Sequence, residues 1–183
     1  MFVEQGCVQD SFASPLKDMC ASIFGWQREM LEGDTMDSRE FRETPDLYWT
    51  RKLGIDNFTP RLALQLMGTE VLREHFHKDI WIDSLEYRMR KVVKEEPCVV
   101  ISDARFTNEL DLIKSLGGAV INVRRGELPQ WYDTAVKANQ GNVPAQHKMM
   151  TQHKSVHLSE WNWIGYDFDY VIDNDSDLEH LKN

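Results

Sequence analysis

Apolar and polar positions along the chain change period from segment to segment, and each change marks an element. Four consecutive apolar residues, Cys98 to Ile101, predict a short strand covered on both faces. Leu110, Ile113 and Leu116 then recur at helical spacing and stop at Gly117-Gly118, which predicts a helix over 108–116. Further strands are predicted over 119–123 and 170–172, so that strand, helix, strand and a later strand read as a parallel sheet with a crossover helix. Upstream, residues 6–12 carry Val8 and Phe12 and suit an edge strand. Ser14-Pro15 opens a helix with Leu16, Met19, Cys20 and Ile23 inward, ending at Gly25. Thr59-Pro60 opens another, with Leu62, Leu66 and Met67 before Gly68. Beyond it a helical stretch runs from Thr69 to Lys94, broken near His77-Lys78-Asp79, with Val71, Leu72, Phe76, Ile80, Leu85 and Met89 on one face. Residues 27–57 mix arginines with aromatic residues and read as short helices and loops. Residues 126–168, punctuated by Gly126, Pro129, Gly141, Pro144 and Gly165, are the least regular part, and irregular stretches of that length are usually functional or mobile.

At 183 residues the chain is expected to form a single domain with a real core. No apolar run approaches the roughly 20 residues of a membrane span, and the N-terminus lacks the layout of a signal peptide, so an intracellular protein is expected. Cys7, Cys20 and Cys98 are an odd number with no Cys-x-x-Cys pair, which argues against a disulfide framework and a four-cysteine zinc site. A net charge of −9 disfavours nucleic acid as a partner, yet a few convergent cations still hold a small anion at contact range. His147, His153 and His157, with His75 and His77 elsewhere, read as solvated surface residues more readily than as a zinc site.

Asp103 and Arg105 fall just beyond the carboxyl end of the 98–101 strand, where ligands bind in open α/β sheets. A carboxylate for magnesium and a guanidinium for phosphate suit that place, although a plain surface ion pair in a loop accounts for the same residues.

Several motifs occur in order along the chain: Asp10-Ser-Phe-Ala-Ser-Pro-Leu-Lys-Asp18, Phe24-Gly-Trp26, Asp37-Ser-Arg-Glu40, Thr59-Pro-Arg61 with Gln65-Leu-Met-Gly-Thr-Glu70, Asp79-Ile-Trp81, Ser102-Asp-Ala-Arg105 with Asn108-Glu109, and Phe168-Asp-Tyr-Val-Ile-Asp-Asn174. Together they resemble the deoxynucleoside monophosphate kinases of tailed bacteriophages over essentially the whole chain. The resemblance implies a three-layer α/β fold, a P-loop nucleoside monophosphate kinase-like parallel sheet with flanking helices. It also implies a mainly helical substrate-binding region over 27–94, a lid-like region over 126–168, and ATP-dependent phosphoryl transfer with magnesium to a deoxynucleoside monophosphate (dNMP), giving the diphosphate. Its partners would be dNMP and ATP, with no nucleic acid or membrane and with a homodimer left open, in the cytoplasm of an infected host.

By the same resemblance, Lys17, Arg39 and Arg61 would hold the monophosphate, Gly68 would admit the nucleotide, Thr69 would supply a hydroxyl and Trp81 a face or edge for the base. Asp103 would sit on the magnesium side, Arg105 and Glu109 would orient the acceptor, and Arg124 and Arg125 would close the site. Read from the residues alone, Lys17 is equally a solvated helix residue, Trp81 a core residue and Glu109 a first-turn acid stabilised by the helix dipole.

The family's glycine-rich phosphate loop has no counterpart here, since no Gly-x-x-x-x-Gly-Lys sequence occurs in the chain. The first six residues read instead as the end of the helix that follows such a loop, so the sheet is expected to lack its first strand. Two expectations follow: a longer natural protein with an internal methionine at this start, or a shortened, non-catalytic nucleotide-binding or decoy protein.

Overall fold

The computed structural model describes residues 6–92 and 98–175. The expected helix end at Lys94 and the reading of the first five residues lie outside the described residues. The described chain divides into two compact units, one within residues 6–103 and one within residues 104–175.

In the first unit β1 (Val8–Asp10) pairs in parallel with β2 (Val99–Ile101), with Val8 opposite Val99 and Asp10 opposite Ile101. The helix α1 (Ser14–Phe24) has Pro15 in its first turn and ends at Gly25, whose φ of 72° supplies the left-handed conformation of the C-cap. Thr35 and Ser38 form a reciprocal capping box at the start of α2 (Met36–Glu43). Asp46 caps α3 (Leu47–Leu53), and Thr59 caps α4 (Pro60–Gln65) by accepting the Leu62 N–H.

Gly68 does not stop the helix as its identity suggested. The backbone runs on from α4 as a π-helical segment, Leu66–Phe76, and breaks only at His77, before α5 (Ile80–Val92). Glycine is tolerated there because it is buried against Leu16: a Cβ on Gly68 would lie 2.6 Å from Leu16 Cδ2. Phe12, Leu16, Cys20, Leu31, Phe58, Ala63, Trp81, Leu85 and Met89 make the buried core.

The cysteine reading is corrected by a Cys7–Cys98 disulfide. Each cysteine immediately precedes its strand, so the register that sets Val8 beside Val99 sets the two sulfurs side by side. A pairing 91 residues apart in sequence is created by the sheet, and only Cys20 remains a free thiol.

The second unit holds α6 (Thr107–Ser115), β3 (Ile121–Arg124), α7 (Tyr132–Asn139), α8 (Val143–Thr151) and β4 (Tyr170–Asp173). β3 and β4 run parallel, Ile121 opposite Tyr170 and Arg124 opposite Asp173. The stretch expected to be irregular, 126–168, contains α7 and α8 packed on one another around Ala135, Ala138, Ala145, Met149 and Ile164, with Trp131, Trp161 and Trp163 against them. Asn142 caps α8 and Pro144 occupies its first turn, so punctuation that looked like loop is helix initiation. No helix of the described residues is long and apolar enough to cross a membrane.

Candidate functional site

Parallel pairing brings the carboxyl ends of β1 and β2 together, and Asp103 follows β2 by two residues. Its Oδ1 accepts the Phe12 N–H at 2.9 Å and its Oδ2 the Ala13 N–H at 3.0 Å. Two charge-assisted bonds therefore tie the turn after β1, and the start of α1, to the end of β2. On the same turn Arg88 of α5 clasps Asp10, with Nε to Oδ2 at 3.0 Å and Nη2 to Oδ1 at 3.3 Å. It also donates to the Ser11 carbonyl at 2.8 Å and to Ser84 Oγ at 2.8 Å. Arg88 escaped the sequence reading. Its only sequence signal is Ser84 four residues earlier on the same helix face, and its partner is 78 residues away.

A second set of cations converges on the corner at Glu32 and Gly33. Lys17 Nζ bonds Glu32 Oε2 at 2.5 Å, while Arg28 bonds both Glu32 and Asp18, the latter at 2.5 Å. Partial burial pushes the Glu32 carboxyl up, but hydrogen bonds and charge from Lys17 and Arg28 outweigh it and hold the group below its usual range. From α2, Arg39 Nε donates to the Gly33 carbonyl at 3.0 Å and Arg42 Nη1 to the Glu32 carbonyl at 3.2 Å. Arg61, at the start of α4, is exposed and ion-paired with Glu43.

The other expected residues of this unit divide sharply. Trp81 is 8% exposed and donates its indole N–H to the Gly68 carbonyl at 3.0 Å, so it offers no open face to a base. Gly68 itself is explained by the Leu16 contact, and Thr69 is exposed on the π-helical segment. Of the two readings open for Trp81, the structure favours the core residue.

In the second unit Arg105 Nη1 bonds Glu160 Oε1 at 3.0 Å. Glu109 is buried, and its Oε2 accepts the backbone N–H groups of Arg105 at 2.7 Å and Phe106 at 3.1 Å, which caps α6. Arg124 and Arg125 border a cavity of about 160 Å³ walled by Trp131, Tyr132 and Trp163. Arg124 Nε and Asn122 Nδ2 are buried without a hydrogen-bond partner among the described residues. His157 Nδ1 meets Ser159 Oγ at 2.9 Å, and no group of three or more His, Cys, Asp or Glu among the described residues is placed to hold a metal ion.

Residues 27–151 match a family model described as deoxynucleotide monophosphate kinase. The chain is 38% identical over 129 residues to a putative deoxynucleotide monophosphate kinase of Acanthamoeba polyphaga mimivirus, a match covering 66% of this chain and 62% of the relative. It is 44% identical over 57 residues to a deoxynucleoside-5′-monophosphate kinase of Escherichia phage T5, covering 31% of this chain and 22% of that enzyme. The matched parts thus span less than two thirds of either relative.

Proposed function

The chain belongs to the deoxynucleotide monophosphate kinase family, and we propose that its first unit carries the acceptor side of such a kinase in viral nucleotide metabolism. The reaction is ATP-dependent: an oxygen of the acceptor's 5′-phosphate attacks the γ-phosphorus of ATP, the bond to the β-phosphate oxygen breaks, and dNDP and ADP result. Such transfer depends on positioning and charge neutralisation more than on covalent chemistry by the protein. The observation that carries this reading is the pair of features at one unit's strand ends and helix starts: the turn cinched by Asp103, and the cation-rich corner at Glu32 and Gly33.

In this reading Lys17, Arg39 and Arg61 neutralise the acceptor's phosphate, with Lys17 leaving Glu32 as the anion arrives. Asp103 is suited to magnesium, because each carboxylate oxygen spends one lone pair on a backbone N–H and keeps another. Magnesium is commonly held by one or two carboxylates with waters and substrate phosphates, so the lack of a larger acidic cluster among the described residues is compatible with it. When bound, the ion supplies neutralisation of the phosphates. In the second unit, taken by itself, Arg105, held by Glu160, Glu109, which orders the Arg105 backbone, and Arg124 and Arg125, at that unit's cavity, are assigned to nucleotide contacts of that unit. The three-layer P-loop kinase-like sheet belongs to the same proposal, supported by parallel pairing within each unit.

Titration of the four dNMPs into the chain, with ATP-dependent formation of dNDP followed in parallel, tests this. A dNMP should bind saturably and more tightly than its phosphate-free nucleoside, and Arg61→Ala should weaken it by about 1.5–3 kcal/mol with little rescue by Arg61→Lys. Equal binding of nucleoside and monophosphate would remove the phosphate site from this unit.

A further inference from the structure

Arg42 is a cation at the Glu32-Gly33 corner that none of the roles above employs. It lies one turn after Arg39 on α2, and its one hydrogen bond joins Nη1 to the Glu32 carbonyl. Among the described residues its Nε is buried without an acceptor, and it forms no ion pair with any carboxylate. Lys17 and Arg28 share Glu32, and Arg61 has Glu43, while Arg39, like Arg42, bonds a backbone carbonyl and no carboxylate among the described residues, though without a buried unpartnered Nε. The backbone is shaped to admit this guanidinium. Gly33 has a φ of +76°, and a Cβ there would fall 2.1 Å from Arg42 Nη1.

The helix bearing Arg42 packs on α4, where Arg61 sits. Burial first, and then the Arg61 charge, hold the Arg42 guanidinium below its usual pKa against the opposing pull of the Glu43 and Glu32 carboxylates. A half-buried guanidinium with no carboxylate in direct contact among the described residues, and with a second guanidinium acting on it, is an arrangement that an incoming anion stabilises. A planar fork suits a tetrahedral phosphate, and a dianion offsets two like charges where a monoanion offsets one.

We propose that Arg42, together with Arg61, grips the 5′-phosphate of the acceptor, and that this pair sets the preference for phosphate-bearing over phosphate-free deoxynucleosides. The assignment rests on the acceptor-side reading of the first unit. It adds a residue to that site and transfers the main grip from Lys17, which is already neutralised by Glu32, to a cation held among the described residues by a backbone carbonyl alone.

The test uses the whole chain with the four dNMPs, their matching deoxynucleosides and inorganic phosphate as probes. Calorimetric titration compares the unsubstituted protein with Arg42→Gln and Arg42→Lys, and labelling with an arginine-specific dicarbonyl reads Arg42 by peptide mass spectrometry with and without each probe. Arg42→Gln should weaken dNMP binding tenfold or more, leave nucleoside binding unchanged and flatten its salt dependence, with little recovery in Arg42→Lys. In the unsubstituted protein, dNMP and phosphate should protect Arg42 from labelling while the nucleoside does not, a readout that does not depend on how the variants fold. Unchanged dNMP affinity in Arg42→Gln, or equal labelling with and without dNMP, overturns the assignment and leaves the acceptor reading standing. Protection of Arg42 by phosphate with no binding of any dNMP keeps the anion site and sinks the acceptor reading. No binding of phosphate or dNMP refutes both.

Discussion

Asp103 holds the turn after β1 and is also the magnesium ligand proposed above, and the two roles separate experimentally. Removing its carboxylate in Asp103→Ala leaves the N–H groups of Phe12 and Ala13 without their acceptors. A hydrogen bond to a charged group contributes about 1.5–3 kcal/mol, and in a half-buried turn the lower end applies to each, so the loss is about 3 kcal/mol. Asp103→Asn keeps one acceptor oxygen, now neutral, but turns an NH₂ group toward the other N–H, for a loss of about 2 kcal/mol. Against a total stability of about 5–15 kcal/mol for a typical domain, either change is large. The measurement is urea unfolding in EDTA at pH 7.5, followed through tryptophan fluorescence, with Trp26, Trp49 and Trp81 reporting on this unit. With a slope of about 1.5 kcal/mol/M, Asp103→Ala should lower the midpoint by about 2 M at unchanged slope. An Asp103→Ala protein within about 0.5 kcal/mol of the parent without metal would show that the carboxylate does not hold the turn.

Four further outcomes are expected. Asp46 accepts the Trp26 indole N–H at 2.9 Å and caps α3, so Asp46→Ala should cost about 2–3 kcal/mol in the same assay. Against the opposing push of burial, the Trp26 indole and the backbone N–H groups of Trp49 and Tyr48 hold the Asp46 carboxyl below its usual value, and Lys17 and Arg28 do the same for Glu32. A lowered folded-state pKa gives stability that is present above the unfolded value of about 4 and is lost as pH falls through the folded one. Midpoints should therefore be flat from pH 8 to about pH 5.5 and fall below about pH 4.5, with a smaller fall in Asp46→Asn; a flat profile to pH 3 would contradict this. Gly68→Ala should destabilise by about 1–3 kcal/mol through its clash with Leu16, and Leu16→Ala in the same chain should recover part of it; simple additivity of the two losses would argue against the contact. Burial pushes the free Cys20 thiol up to about 11, so native protein should resist alkylation at pH 8, and unfolded, unreduced protein should release one titratable thiol. Three thiols would refute the Cys7–Cys98 bond.

Much of the local structure was legible because its signals are local. Thr59-Pro60 starts α4, Gly25 ends α1, and the four-residue apolar run gives β2. What was not legible needs the tertiary structure. Gly68 has the appearance of a helix stop, and only its burial against Leu16 shows why the helical backbone runs through it. Ala135, Ala138, Ala145 and Met149 carry too little apolar bulk to stand out among turn-forming residues, yet they suffice where two short helices approach closely. The disulfide depends on strand register and the Arg88–Asp10 clasp on a helix crossing a turn, and neither has a sequence spacing to announce it. For the candidate site, the order of motifs nominated Lys17, Arg61 and Asp103, but it did not tell that Glu109 faces its own backbone or that Trp81 is sealed in the core.

The pairing of β3 with β4 has a consequence for how the protein behaves at high concentration. Among the described residues this sheet is two strands wide, so each strand keeps one row of backbone donors and acceptors without a ladder partner. Val123 is 57% exposed and Tyr170 62%, which makes the strands apolar as well as open. Such edges template strand addition between copies, and a net charge of −9 is the force that keeps copies apart. Because salt screens that repulsion over about 10 Å at 0.1 M while leaving edge pairing intact, turbidity at high concentration should rise as salt is added, so low ionic strength is the condition that keeps the protein dispersed.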